Sequence, residues 1–297
     1  MLRAKTPELL ILTGADAAYY RCLLQLLASI ERVDRARSLR VIAYDLGLTA
    51  RQRTRIARSF PRLELRHYEL SAQPAFMRIR ARALNSNAWK PQLIEAVLGE
   101  CSEPLLWLDS ASVLLRQPQR LVHWIRATGL YTPFGGHSSI ARWTHESTAR
   151  YLGFSVAELS PRMRASGVFG VDPQNARARA LVRRWATLCR EPACVAPAGA
   201  LRSAHNFDQS VLNLLLLEAR RTEPLALTCD ELDISSDAPV SELRTRNKVH
   251  SALPMALDPL VRGYYAFYRA LDVALLRLRR SRACPPPLRD VAEFATW

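Results

Sequence analysis

Strand-like and helix-like segments alternate through the first half of this chain, and that alternation constrains its fold more than any other feature. Residues 9–13 form a short apolar run closed by Gly14. Asp16 follows at a helix N-cap position, and 20–30 has helical apolar spacing. Residues 39–44 read as a second strand ending at Asp45 and Gly47. Thr49 caps a basic helix over 50–59, which Pro61 terminates. Residues 63–68 alternate apolar and charged side chains, as an edge or half-buried strand would. This order predicts βαβ units and a mainly parallel sheet.

The next apolar run, Pro104 to Ser112, delivers a carboxylate, Asp109, to the end of a central strand. Open α/β sheets bind ligands at the carboxyl ends of such strands. Before it, an Arg-rich stretch (76–87) leads to Trp89-Lys90-Pro91 and a helix over 92–98, with Trp89 read as core and Lys90 as either an exposed side chain or a phosphate contact. After it, 121–127 reads as a helix, 129–133 as a strand and 135–139 as a Gly-rich loop. Then come a strand over 166–171 and two helices, 176–189 and 206–220, the second capped by Asn206. Beyond residue 222 the pattern weakens, until a Tyr-, Leu- and Arg-rich helix over 264–278.

Length and composition exclude several classes. The 297 residues are enough for one large α/β domain with an appendage, and 49% hydrophobic content argues against disorder. No run approaches the ~20 apolar residues of a membrane-spanning helix. No signal peptide is evident, so a soluble, cytoplasmic, bacterial protein is expected. Six scattered cysteines form no zinc-like cluster and are expected as reduced thiols. All but three of the 42 Lys and Arg residues are Arg, and the net charge of +15 favours anionic partners. There is no Walker A loop, Rossmann glycine fingerprint, nucleophile elbow or His-Glu-x-x-His. No nucleic-acid-binding motif is present either, so no specific nucleic acid is expected.

Several spaced pieces together resemble the GT-A glycosyltransferases, especially those related to family 8. They are Leu12-Thr13-Gly14-Ala15-Asp16 with Tyr19 or Tyr20 and Ser29, Trp89-Lys90-Pro91, Trp107-Leu108-Asp109, Ser166-Gly167-Val168-Phe169, Asp208 to Asn213, and Lys248-Val249-His250. They occur in the family's order over about residues 9–252. The resemblance implies a GT-A-like α/β domain over 1–252, with a mainly parallel mixed sheet flanked by helices, and a C-terminal helical extension over 253–297. It also implies a hexosyltransferase that moves a sugar from a nucleotide-sugar, UDP-linked, to a glycan or glycolipid acceptor.

By the same resemblance, Thr13, Gly14, Asp16, Asp45, Lys90 and Asp109 would bind the nucleotide-sugar. Asp208 and Gln209 would face the transferred sugar, His137 and Ser166 the acceptor, and Asp109 with His250 would hold Mn²⁺ or Mg²⁺. The chain departs from the pattern at Ala111, where the second motif acid is expected, and at Ala165, where family members often have Asn. The two-carboxylate clamp on a metal cannot form from this loop, and Lys90 with Arg78, Arg80 or Arg82 could neutralise phosphate instead. Two other readings stay open: an inactive GT-A-like binding protein, and a basic nucleic-acid-binding or scaffold protein. The basic C-terminal helix is either a solvated end or a peripheral contact with an anionic membrane.

Overall fold

The computed structural model describes residues 7–79, 86–232 and 242–245. The expected C-terminal extension, Arg80, Arg82, Lys248 and His250 lie outside them. The elements in chain order are β1 (Leu9–Ala15), α1 (Tyr20–Val33), β2 (Leu39–Asp45), α2 (Ala50–Ser59), β3 (Glu64–His67), α3 (Trp89–Leu98), β4 (Leu105–Leu108) and β5 (Val113–Leu114). They continue with α4 (Gln119–Thr128), β6 (Leu130–Tyr131), β7 (Phe134–Ser139), α5 (Glu146–Tyr151), β8 (Arg162–Arg164) and β9 (Val168–Val171). The last are α6 (Ala176–Leu188), α7 (Pro192–Val195), α8 (Asp208–Thr222) and β10 (Leu243–Arg244).

Six strands form the central sheet in the order β3-β2-β1-β4-β9-β6. The pairs β3/β2, β2/β1 and β1/β4 are parallel, whereas β9 runs antiparallel to both β4 and β6. This is the mainly parallel α/β sheet that the alternation predicted. From β1 the chain proceeds to β2 on one side and returns to β4 on the other. The carboxyl ends of β1 and β4 therefore flank the topological switch point, the crevice where such sheets take ligands.

Both faces of the sheet are covered at its centre, which is why β1 and β4 are continuously apolar. Leu10, Leu12, Leu105, Trp107 and Phe169 point to the side of α3, α6 and α8. Leu9, Ile11, Leu106, Leu108 and Val168 point to α1 and α4. Thr49 caps α2 as expected, in a reciprocal capping box with Gln52.

Four local expectations are corrected. The stretch 135–139 is part of a strand, β7, paired antiparallel with β8. A Cβ on Gly135 would lie 3.3 Å from that of Ala165, so the glycine permits a close approach of chains and does not mark a loop. Asp16 does not cap α1 directly: its Oδ1 accepts from Tyr19 N, one turn before the helix. Asn206 does not cap α8, whose N-cap is Phe207 with φ 45° and no side-chain cap. Lys90 is buried with Trp89, because α3 is sunk into the core along most of its length. Among the described residues no helix is long and apolar enough to cross a membrane, and Cys101, Cys189 and Cys194 are free thiols.

Candidate active site

Trp107 and Asp109 are two residues apart at the end of β4, so their side chains leave the same face of the strand. The Trp107 indole N–H donates to Asp109 Oδ1 at 2.8 Å. The Asp109 backbone N–H donates to Gly167 O at 2.8 Å, which ties the acid to the segment entering β9. The Asp109 side chain remains half exposed.

Lys90 rises from the first turn of α3 beneath this acid. Its Nζ lies 3.3 Å from Asp109 Oδ1 and 3.3 Å from Asp208 Oδ2, and donates to Ser166 Oγ at 3.3 Å. It also sits 5.8 Å from the centre of the Trp107 ring, within cation–π range. Ser166 also acts on the Asp208 carboxylate, favouring its charged form. Four residues distant in sequence thus form one cluster, of which only Asp109 is open to solvent.

The charges in this cluster are interdependent. Burial alone would lower the Lys90 pKa, but Asp109 and Asp208 outweigh it and the ammonium is held above its ordinary range. Burial pushes the Asp208 carboxyl up and the Asp109 charge adds to that; Lys90 and Ser166 oppose it. Asp208 Oδ2 faces the ammonium as an ion pair but has no hydrogen bond of regular geometry.

The backbone at the two entry points is unusual. Asn87, three residues before Lys90, has φ 50°, and Phe207, next to Asp208, has φ 45°. Left-handed backbone at a bulky residue such as Phe is disfavoured and persists only where surrounding contacts enforce it. Here the Phe207 ring is buried against His205, with centroids 4.8 Å apart. Trp185 on α6 donates to the Asp208 carbonyl at 2.9 Å, and Asp208 N donates to Ser86 O at 3.3 Å. Gln92 Nε2 bonds Ala186 O at 2.7 Å, so α3 and α6 are locked together below the site.

Around the opening, Tyr19 lies near Cys22, Arg202, Asp109 and Asp16. Burial raises its hydroxyl pKa, the Cys22, Asp109 and Asp16 groups add to the rise, and Arg202 opposes it.

Not every expected residue joins the cluster. Asp45 is buried, with Oδ1 accepting from Gly47 N and Leu48 N at 2.9 and 2.6 Å and Oδ2 from Arg53 at 3.0 Å. Burial would raise its pKa, but these donors prevail and hold it low, as befits an anchor of the β2–α2 turn. Thr13 alternates with Leu12 and so faces the α1 side, away from Lys90; its buried Oγ1 has no hydrogen-bond partner. Gly14 is buried against Leu46, where a Cβ would meet Cδ1 at 3.1 Å. Gln209 is half-buried in the first turn of α8. His137 lies on β7. Arg78 donates to Gln73 O at 2.7 Å.

Sequence reasoning missed Trp107 as a partner of the acid. The i, i+2 spacing of Trp107 and Asp109 was the available signal. Asn213 of the Asp208–Asn213 segment serves the fold: it accepts from Arg164 N at 2.7 Å and donates to Arg164 O and Gln209 O at 2.9 and 2.8 Å.

The described residues do not fit a divalent ion. No group of three His, Cys, Asp or Glu among them could hold one. Ala111, at the second acid position, packs against Cys22 and Tyr19. The open carboxylate of the cluster, Asp109, already has the Lys90 ammonium for its cation.

No family model matches the chain, and no curated protein matches it. Among solved structures it is similar to the galactosyltransferase LgtC in complex with donor and acceptor sugar analogs. That match has 17% identity and a TM-score of 0.47, covering 69% of this chain and 70% of the other. It is also similar to the WbbM bifunctional glycosyltransferase, at 14% identity and TM-score 0.44, covering 72% of this chain and 38% of that one. Mouse xyloside xylosyltransferase 1 is a further match, at 12% identity and TM-score 0.45, covering 75% and 85%.

Proposed function

We propose that this chain is a glycosyltransferase that takes a nucleotide-sugar, UDP-linked, and passes a hexosyl group to a glycan or glycolipid acceptor. The observation that carries the reading is the cluster at the switch point: an open carboxylate, Asp109, held over a buried Lys90–Ser166–Asp208 array. Such a crevice suits a ligand with several hydroxyls and a diphosphate, because donors and acceptors converge there from four chain segments.

In this reading Asp16 and Asp109 accept hydrogen bonds from ribose and sugar hydroxyls at the rim. Asp208, with Gln209 beside it, carries the negative field beneath the anomeric carbon and stabilises cationic character developing there. In this reading the Lys90 ion pair and the Trp185 bond to the Asp208 carbonyl hold the acid in place, so little solvent-like reorganisation is needed as charge develops. Arg202, whose charge acts on Tyr19, is the cation this reading assigns to the departing diphosphate.

The test is a titration of UDP, GDP and their sugars followed by thermal melting, on wild type and Asp109→Ala. A ligand that binds the native state raises its stability by mass action. The reading requires a shift with one diphosphate that Asp109→Ala loses, followed by release of that diphosphate from the matching sugar-nucleotide in the presence of acceptor. A shift without turnover supports a second reading, an inactive binding protein of the same fold, which the Ala111 packing favours. No shift with any nucleotide removes both.

A further inference from the structure

The cluster holds its own cation. Lys90 Nζ stands at 3.3 Å from one oxygen of each acid, so it already occupies the position of a cation shared by Asp109 and Asp208. An ion there would face an ammonium at contact distance in a buried setting, where like charges repel strongly. The lysine cannot swing aside easily, because α3 is buried along its length and bonded to α6 through Gln92 and Ala186 O. The partner acid is equally fixed, since Trp185 grips the Asp208 carbonyl. On the other side of Asp109, the place for a second carboxylate is filled by the Ala111 methyl against Cys22 and Tyr19.

We infer that Lys90 is the resident cation of this acid cluster, a positioning residue that joins Asp109 to Asp208, and that the cluster takes no divalent ion. Its consequence for the chemistry rests on the proposed transfer reaction: the diphosphate would then be received by protein cations alone, Arg202 among them.

The experiment is a set of melts without nucleotide, in chelator, in millimolar Mg²⁺ and in millimolar Mn²⁺, on wild type, Asp109→Ala and Lys90→Met. The wild-type midpoint is expected to be the same in all three media. Lys90→Met, which leaves two facing carboxylates without a cation, is expected to melt lower in chelator and to regain part of the loss in Mn²⁺. A wild-type midpoint that Mn²⁺ raises and Asp109→Ala abolishes would overturn the inference. So would a Lys90→Met protein that melts like wild type in every medium. Should Lys90→Met not fold, Mn²⁺ binding to wild type and Asp109→Ala by paramagnetic resonance decides the matter: equal binding supports the inference, and a site lost with Asp109 overturns it. These measurements contain no sugar-nucleotide, so failure of the transfer reading would show only in the nucleotide titration.

Discussion

Gly167 and Asp109 are so close that a methyl group on the glycine would sit 2.7 Å from the carboxylate Oδ2. The glycine is thus part of the acid's seat, and its backbone carbonyl already holds the Asp109 N–H. Gly167→Ala is expected to push the half-exposed Asp109 side chain outward and leave the sheet intact. Stability should change by less than about 1 kcal/mol, since the displaced group can move into solvent. Nucleotide affinity by calorimetry should fall about tenfold, the effect of losing one charged contact of roughly 1.4 kcal/mol. Unchanged affinity would separate Asp109 from the binding site.

Asp208→Asn keeps the size of the side chain and removes its charge. Lys90 retains Asp109, so the protein should still fold, at a cost of about 1–2 kcal/mol in urea denaturation. Turnover in the transfer assay should fall by roughly 10²-fold or more, because a fixed charge beneath the reacting carbon is lost. A variant with near-normal kcat would remove Asp208 from the chemistry.

Asn213→Ala probes the fold in isolation. It strips hydrogen bonds from the Arg164 N–H, the Arg164 carbonyl and the Gln209 carbonyl, all inside the protein. Buried groups left unpaired cost more than the bonds themselves gain, and a loss of about 2–3 kcal/mol is expected from urea midpoints. Nucleotide affinity, measured where the variant is fully folded, should stay within about threefold of wild type, a difference under roughly 1 kcal/mol.

His205 supplies a pH dependence away from the cluster. Its Nδ1 accepts from His145 N at 3.1 Å, so Nε2 carries the proton and donates to Val195 O at 3.0 Å. Burial, aided by His145, pushes its pKa down to about 4 from the ordinary 6.5. The unfolded chain therefore binds the extra proton between those values and the native state does not. Stability from this group is complete above about pH 6.5 and is lost as pH falls toward 4, by up to about 3 kcal/mol. Urea midpoints at about pH 4.5 and pH 7 should show this slope in wild type and a shallower one in His205→Gln. Equal slopes would count against the buried neutral imidazole.

Much of the fold was legible because β1 and β4 are apolar on both faces and the helices of the first half are amphipathic. That pattern also located Asp109, as the first charged residue after a buried strand. The strand β7 was not legible: Gly135 and Gly136 look like a loop, and only the approach of Ala165 explains them. The burial of Lys90 was equally hidden. A lysine beside Trp89 and Pro91 reads as exposed unless one knows that two carboxylates converge on it from β4 and α8. Asp45 shows the reverse limit, since a strand-end acid can serve its own turn. Long-range partners decide these cases, and periodicity carries no record of them.

The reversed strand β9 has a consequence for how the protein becomes competent. Because it runs against β4, Ser166 and Gly167 enter the sheet at the end where Asp109 leaves it. The cluster is therefore assembled from Lys90, Asp109, Ser166 and Asp208, each arriving from a separate stretch of chain. Closing those loops is an entropic cost that must be met before any contact in the cluster rewards it. Helices and the β1–β2 unit can form early, whereas ligand affinity can arise only after the last of these pieces has docked. On the proposed function, nucleotide binding is thus a gauge of complete folding: a chain that retains its helices and lacks a seated β9 is expected to look native by circular dichroism and bind nothing.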